Sequence, residues 1–271
     1  MSFDHYTKMA GFAQYYGRNE YQDKYPNSKE DDSEWGIFDE PFFQYFAHQL
    51  QETPQPFFSS IFTLSSHHPY TIPQQYQGRF PKGHLAIHES VGYADYALKK
   101  FFQTASQMSW FENTLFVITA DHTSEAYFPY YKNAVGQFRV PIAFYEPASN
   151  RKIREQKLMQ QTDIMPTVLD LLGVQADYVA FGSSVLDSSQ ERFAMYYRQG
   201  IHHLIKDGYL LQLAGDQPKA LFDLATDSLL VHNQLAEKAS VVNVLDIFAK
   251  AVIQQYNNRL INNVLTVRRE E

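Results

Sequence analysis

The sequence has 271 residues, which is enough for one large domain or for one domain with a small appendage. Hydrophobic residues make up 44% of it, which excludes a disordered chain, and its net charge of −7 without a basic stripe argues against nucleic acid as a partner. It has no cysteine, which excludes disulfides, thiolate metal sites and a cysteine nucleophile within it.

The first part of the sequence predicts two helices and one strand. Residues 1–34 are aromatic and polar without clean periodicity, and they lack the basic and apolar regions of a secretory signal. A helix is predicted at about 40–52, with Asp39 as its N-cap. Residues 57–64 predict a strand, and the apolar stripe of residues 85–107 predicts a long helix. No run of 18 apolar residues occurs that would span a bilayer.

Two further strands and a compact helix follow. Residues 116–119 are a short apolar run bounded by polar residues, which is typical of a buried parallel strand. Residues 139–145 predict a strand whose proline favours an edge or a strand start. A helix is predicted from Asp163, or the threonine before it, to about residue 172, with Gly173 at its C′ position.

The last 80 residues change in pattern and predict a small antiparallel sheet and a terminal helix. Turn residues separate the short strands, and a long amphipathic segment ends the chain. The predicted strands are 193–198, 202–206, 209–213 and 220–224, and the predicted helix is 234–262. Alternating strands and helices followed by such a meander predict an α/β sandwich, divided into residues 1–189 and a C-terminal subdomain at 190–271.

Two of the predicted strands end in residues that can carry chemistry. Because ligands collect at the carboxyl ends of strands in open α/β sheets, Asp121 and His122 lie where a site is expected. Asp121 offers a hard oxygen and His122 a nitrogen, and this mixed set suits Mn or Zn better than Ca. The alternative is an N-cap aspartate followed by a surface histidine.

The other candidate strand end carries His67 and His68. Either can donate a hydrogen bond to a phosphoryl oxygen or act as a general acid to a leaving alkoxide. Arg139 is a weaker candidate for contacting an anion. The alternative for His67 and His68 is a pair in a surface loop before Pro69, but two such groups at strand ends favour a site.

Two other histidine pairs are interpreted as structural or surface residues. Strand alternation sends His202 and His203 to opposite faces, so they cannot easily ligate one ion. His84 and His88 are one helical turn apart, but they lack surrounding carboxylates beyond Glu89.

Six segments, in order, resemble motifs of the lipoteichoic acid synthase branch of the alkaline phosphatase and sulfatase superfamily, the phosphoglycerol transferases. The resemblance covers nearly the whole chain and includes WG-x-x-D-x-PFF, TL-x-x-H-x-PY, DH, D-[IV]-MPT and LYDL-x-x-D patterns. The matching segments are 11–17, 35–43, 62–70, 119–122, 161–167 and 221–227. The resemblance implies an alkaline-phosphatase-like sandwich with a mostly parallel sheet.

The resemblance also implies roles for individual residues. Asp121 and His122 fall on two metal ligands of the family, with Mn or Zn as the expected metal and Mg or Ca as alternatives. His67 falls on the histidine that contacts the substrate phosphate, and His68 on its variable neighbour. The family's threonine nucleophile and remaining metal carboxylate lie upstream of the segment that residues 11–17 match. The isolated chain, as a fragment or a truncated gene product, is therefore not expected to be a competent enzyme.

The function that the resemblance implies is metal-dependent transfer of phosphoglycerol from a phospholipid- or glycan-linked substrate. The parent protein would be anchored in the membrane by segments outside this chain and would face away from the cytoplasm. Two alternatives stay open: a sulfatase or phosphodiesterase of the same superfamily, and a non-catalytic fragment that binds an anionic lipid or glycan bearing phosphoglycerol or sulfate.

Overall fold

The computed structural model describes residues 3–31, 34–149 and 157–267. Within these residues the chain forms two compact units. The first contains the chain up to Tyr127 and the segment from Val140 onward to about residue 149, and the second contains residues 128–139 and the described chain from residue 157. The predicted division at residue 189/190 stays a prediction. None of the helices in the described ranges is both long and apolar enough to cross a membrane.

The first unit is built on two long helices. Its helices are α1 (Phe3–Met9), α2 (Arg18–Lys24), α3 (Asp39–Glu52) and α4 (Ile87–Ala105), and its strands are β1 (Phe116–Thr119) and β2 (Ile142–Tyr145). The predictions for α3, α4, β1 and β2 are confirmed to within three residues at their ends. The two short helices α1 and α2 were not predicted, because neither carries a clear apolar period. Residues 32 and 33 of the predicted N-terminal segment lie outside the described residues.

An aromatic core joins α3 to α4. Phe43 and Phe101 lie with ring centroids 5.2 Å apart, and Trp110 is 1% exposed beside them. Small residues on the facing helices, Ala47 and Ala97, are fully buried and let the two helices approach closely. Phe116 of β1 packs against this cluster, so the core fixes the strand that leads to Asp121.

Two expectations about the sheet are wrong: that the sheet is mostly parallel, with residues 116–119 as a parallel strand, and that residues 57–64 form a strand. Strand β1 pairs antiparallel with β2, with Phe116 opposite Tyr145, and every strand pair in the described ranges is antiparallel. Residues 57–64 run without strand hydrogen bonding in the structure, although Phe57 and Ile61 pack against the core. An apolar run indicates that its side chains are buried. It does not indicate whether the backbone pairs with another strand, or with which one.

The second unit is a four-stranded meander covered by a helix. Its strands are β3 (Phe193–Arg198), β4 (Ile201–Lys206), β5 (Tyr209–Ala214) and β6 (Gln217–Asp223), in the order β3-β4-β5-β6, and its helices are α5 (Ile164–Leu171) and α6 (Ala239–Ile261). Alternate leucines of the sheet pack with Leu245 and Ala249 of α6 in one buried cluster. The predicted sheet and terminal helix are confirmed, although α6 begins five residues later than predicted.

Helix α5 ends as its sequence predicts. Gly173 has φ +64°, and its N–H donates to the carbonyl of Asp170. The N–H of Val174 donates to the carbonyl of Leu169, which completes a Schellman motif. The start differs from the prediction: Asp163 stands at the N-cap position, but its carboxylate makes no capping hydrogen bond to α5.

The two sheet histidines occupy opposite faces of β4, as alternation predicts. His203 is 7% exposed, stacks on Tyr196 at 4.4 Å and lies 3.3 Å from the Gln212 amide, while His202 packs against Tyr197. Burial lowers the pKa of both imidazoles, and the nearby positive charge of Arg198 lowers that of His203 further. Both side chains are therefore held neutral by the folded sheet.

We expect the second unit to lose stability as the pH falls below about 6.5. The unfolded imidazoles bind protons near that pH, whereas the folded ones bind them only at lower pH, so acid favours the unfolded chain. The contribution of the two neutral histidines to the free energy of unfolding is fully present above pH 6.5 and decreases as the pH falls. Urea unfolding between pH 7.5 and 5.5 measures this slope, and His203→Gln should flatten it, while the exposed His232→Gln should not. An unchanged slope in His203→Gln would contradict the assignment.

Candidate functional site

His67 is held by the carbonyl group of the residue that follows it. Its Nδ1 lies 2.8 Å from the His68 oxygen. Because a carbonyl oxygen only accepts, Nδ1 is the protonated nitrogen, and Nε2 is left to contact a ligand. Trp35 donates its indole N–H to the same oxygen at 2.8 Å, and its ring lies 4.1 Å from the His67 ring. His67 and His68 are both exposed.

Asp121 and His122 form a second arrangement of the same kind after β1. His122 Nδ1 lies 2.6 Å from the carbonyl oxygen of Thr123, so it too donates and leaves Nε2 available. The His122 Nε2 lies 3.5 Å from Oδ2 of Asp121, while the backbone N–H of His122 donates to Oδ1. The two side chains therefore turn one nitrogen and one oxygen toward the same point.

A hydrogen bond connects the loops that carry these groups. The Tyr70 hydroxyl lies 3.0 Å from the Ser124 hydroxyl. Tyr70 follows His67 by three residues and has φ +65°, while Ser124 follows His122 by two. The loop of His67 and the end of β1 thus meet in the first unit, as expected, although residues 57–64 are not a paired strand.

Asp39 holds the His67 loop by hydrogen bonds, and it was not identified as a site residue from the sequence. It is the first residue of α3, not its N-cap, and it is 3% exposed. Its Oδ1 accepts the backbone N–H groups of Leu64 and Ser65 at 2.9 and 3.0 Å, and its own N–H donates to the Ser65 hydroxyl. The signal for this contact was the aspartate of the WG-x-x-D pattern, which an N-cap also explains.

The Asp121 and His122 pair fits two positions of a metal site. Ligands about 2.0–2.1 Å from a tetrahedral ion lie about 3.3 Å from each other, close to the observed 3.5 Å. The hydrogen bond from His122 Nδ1 to a carbonyl is the usual partner of a metal-binding imidazole. In the described ranges no third histidine or carboxylate joins them to form a complete cluster. The pair therefore supplies part of a coordination sphere.

The Asp121 and His122 side chains are exposed, and Arg139 belongs to the other unit. The side chains of Asp121 and His122 are 56% and 64% exposed. Arg139 lies in the second unit, where its guanidinium donates to the Tyr130 hydroxyl at 2.6 Å. Its contact with an anion stays a prediction. Asp163 is 3% exposed and accepts the N–H groups of Gln160 and Ser183, which is a structural role.

Comparison with known proteins agrees with these motifs. The sulfatase family model, described as "Sulfatase", matches residues 2–174. Lipoteichoic acid synthase 2 of Bacillus subtilis (strain 168) is 29% identical over 197 residues, which are 65% of this chain and 30% of that protein. Lipoteichoic acid synthase of Staphylococcus aureus (strain USA300) is 23% identical over 58% of this chain and 27% of its own length. The chain thus spans about 30% of the length of these relatives.

Solved structures show the same fold. A protein in the alkaline phosphatase superfamily from Vibrio parahaemolyticus superposes with a TM-score of 0.77 at 24% identity, covering 95% of this chain and 62% of that one. Phosphonate monoester hydrolase of Agrobacterium radiobacter gives a TM-score of 0.62 at 15% identity, over 85% of this chain and 64% of its own. The chain therefore belongs to the sulfatase family and has the fold of the alkaline phosphatase superfamily, with sequence relatives among the lipoteichoic acid synthases.

Proposed function

We propose that this chain carries part of the active site of a metal-dependent phosphoglycerol transferase-like enzyme. Asp121 and His122 are two of its metal ligands, and His67 contacts the phosphoryl group. The observation that carries the proposal is the 3.5 Å separation of His122 Nε2 from Asp121 Oδ2, with the opposite imidazole nitrogen bound to a carbonyl. Both side chains are more than half exposed, so a ligand can reach both atoms from solvent.

The chemistry divides between the metal and this chain's own residues. A divalent ion, when bound, supplies positive charge beside a phosphoryl group as negative charge develops there. His67 in its imidazolium form donates from Nε2 to a phosphoryl oxygen, while Nδ1 keeps its hydrogen bond to the His68 carbonyl. The proton on Nε2 is also the one that a general acid would deliver to a leaving alkoxide. His68 is proposed as a further contact to an anionic substrate.

The substrate and location are inferred from the relatives. Since two of them are named lipoteichoic acid synthases, we propose a lipid- or glycan-linked phosphoglycerol as substrate and an extracytoplasmic site next to a membrane. Attack by a threonine nucleophile, and the membrane contact, are proposed for segments of the parent protein outside this chain. The chain alone is then expected to bind ligands of the site without turning over substrate.

We expect this chain to bind Mn²⁺ or Zn²⁺ through Asp121 and His122. Replacement of either, by Asp121→Asn or His122→Gln, should weaken the affinity by at least about tenfold, because each removes a ligand from an already incomplete sphere. Isothermal titration with each metal salt measures this. His48→Gln is the matched control, since His48 is an exposed histidine on α3 of the same unit. Equal affinity and stoichiometry in all four proteins would overturn the ligand assignment.

A further inference from the structure

Trp35 contacts His67 and its loop in two independent ways. Its indole N–H donates to the His68 carbonyl oxygen, which also accepts the hydrogen bond from His67 Nδ1. Its ring lies 4.1 Å from the imidazole, tilted by 52°. The indole, the imidazole and one carbonyl therefore form a closed group in which moving any member breaks a contact to the other two.

Trp35 does not belong to the buried aromatic core. It is 48% exposed, unlike Trp110, which is buried in the aromatic core at 1%. A large aromatic side chain that stays half exposed gains less from burial than a fully buried one. Its indole N–H and its ring both contact the His67 loop. Those contacts act on the orientation of one imidazole.

The two contacts restrict His67 differently. The indole N–H fixes the position of the carbonyl oxygen, and that oxygen in turn selects the tautomer with the proton on Nδ1. The indole ring occupies one side of the imidazole and limits its rotation about the side-chain bonds. Together they keep Nδ1 hydrogen-bonded to the loop and leave Nε2 as the nitrogen that, once protonated, can donate to a phosphoryl oxygen.

We propose that Trp35 is a positioning residue for His67: it holds the neutral imidazole in the Nδ1–H tautomer, so that Nε2 is the nitrogen that takes up a second proton and donates it in a hydrogen bond to the substrate. This rests on the proposed function for the purpose of Nε2, but the positioning itself is a property of the isolated chain and is measured without turnover. A purely structural tryptophan would affect stability and leave the tautomer of His67 unchanged.

The test is histidine-selective ¹⁵N labelling and two-bond ¹H–¹⁵N correlation spectra of the whole chain, with His67→Gln used to assign the His67 signals. The wild type should show the Nδ1–H tautomer. Trp35→Phe keeps a ring and removes the N–H, whereas Trp35→Leu removes both. We expect the ratio of the two tautomers to fall by about tenfold in Trp35→Leu, equivalent to about 1.4 kcal/mol, and by less in Trp35→Phe.

The matched control is Tyr70→Phe, which alters the same loop without touching the hydrogen bond from His67 Nδ1 to the His68 carbonyl. It should leave the tautomer as in the wild type. Thermal unfolding identifies any variant that fails to fold, and the milder Trp35→Phe then decides the result. An Nε2–H tautomer in the wild type, or the same tautomer ratio in folded Trp35 variants as in the wild type, would overturn the proposal.

Adding inorganic phosphate separates this proposal from the proposed function. If His67 contacts phosphoryl groups, phosphate should shift the Nε2 signal of the wild type, and Trp35→Leu should require about tenfold more phosphate for the same shift. A wild type that ignores phosphate but retains the tautomer contrast would refute the role of His67 in substrate contact. The positioning role of Trp35 would then stand on its own.

Discussion

Replacing Asp39 by alanine should unfold the first unit at a temperature roughly 10 °C below that of the wild type. The carboxylate is 3% exposed and accepts two backbone N–H groups, from Leu64 and Ser65. Alanine leaves both donors without this acceptor in a buried place, and hydrogen bonds to a charged group are worth about 1.5–3 kcal/mol each. The expected loss of unfolding free energy is about 3–5 kcal/mol.

The same substitution should disturb the site before it unfolds the unit. Ser65 lies two residues before His67, and its hydroxyl accepts the N–H of Asp39. When the carboxylate is lost, two of the three hydrogen bonds between the His67 loop and the start of α3 are lost, and only the one from the backbone N–H of residue 39 to the Ser65 hydroxyl stays. Phosphate-induced shifts of His67 should therefore weaken in Asp39→Ala at temperatures where the variant is still folded.

Asp95→Ala is the matched control for Asp39→Ala. Asp95 is an exposed aspartate on α4 of the same unit, and exposed substitutions usually change stability by no more than about 0.5 kcal/mol. Urea unfolding of the three proteins, followed by tryptophan fluorescence, gives the comparison. If Asp39→Ala and Asp95→Ala cost the same, the hydrogen bonds to Leu64 and Ser65 do not stabilise the unit as argued.

The elements that the sequence predicted well are those specified by local patterns. Helix α4 has an apolar stripe along 19 residues, and the β4–β5 hairpin has the turn pair Asp207-Gly208, where both residues adopt positive φ. The Schellman ending of α5 at Gly173 is specified by the glycine itself. In each case the residues that decide the structure are close together in the chain.

Pairing between distant segments was not predictable in this way. Residues 57–64 predict a strand and residues 116–119 a buried parallel strand, yet the first segment is unpaired and the second pairs antiparallel with β2. An apolar segment of this length packs its side chains equally well in either arrangement, since the choice depends on backbone partners elsewhere in the chain. The core contacts of Phe57 and Phe116 could therefore be predicted from the sequence, but the backbone pairing of their segments could not.

The candidate site was predictable in composition and not in geometry. Asp121, His122 and His67 stood out because metal-binding and acid–base side chains are rarely placed after apolar runs without a reason. The supporting contacts use Tyr70, Ser124 and the indole of Trp35, whose hydroxyl and N–H groups bond to many partners in other proteins. Only the folded structure shows which partner each one has.

Gly182→Ala is expected to destabilise the second unit by about 3 kcal/mol. A Cβ at this position would lie within 3.0 Å of the Thr162 carbonyl oxygen and of Asp163 Oδ1. Asp163 cannot simply turn away, because its Oδ1 accepts the N–H of Ser183 at 2.9 Å and its Oδ2 accepts that of Gln160. The methyl group therefore costs both overpacking strain, about 1–3 kcal/mol, and part of these hydrogen bonds.

Gly215→Ala separates this steric effect from the loss of glycine's backbone freedom. Gly215 lies in the β5–β6 turn of the same unit with φ +61°, and a Cβ there would meet nothing within 4 Å. Its replacement should cost only about 1 kcal/mol, the conformational penalty of a positive φ. Urea unfolding monitored by circular dichroism compares the two variants with the wild type. A larger cost for Gly182→Ala would support the close approach of residue 182 to Thr162 and Asp163, whereas equal costs would refute it.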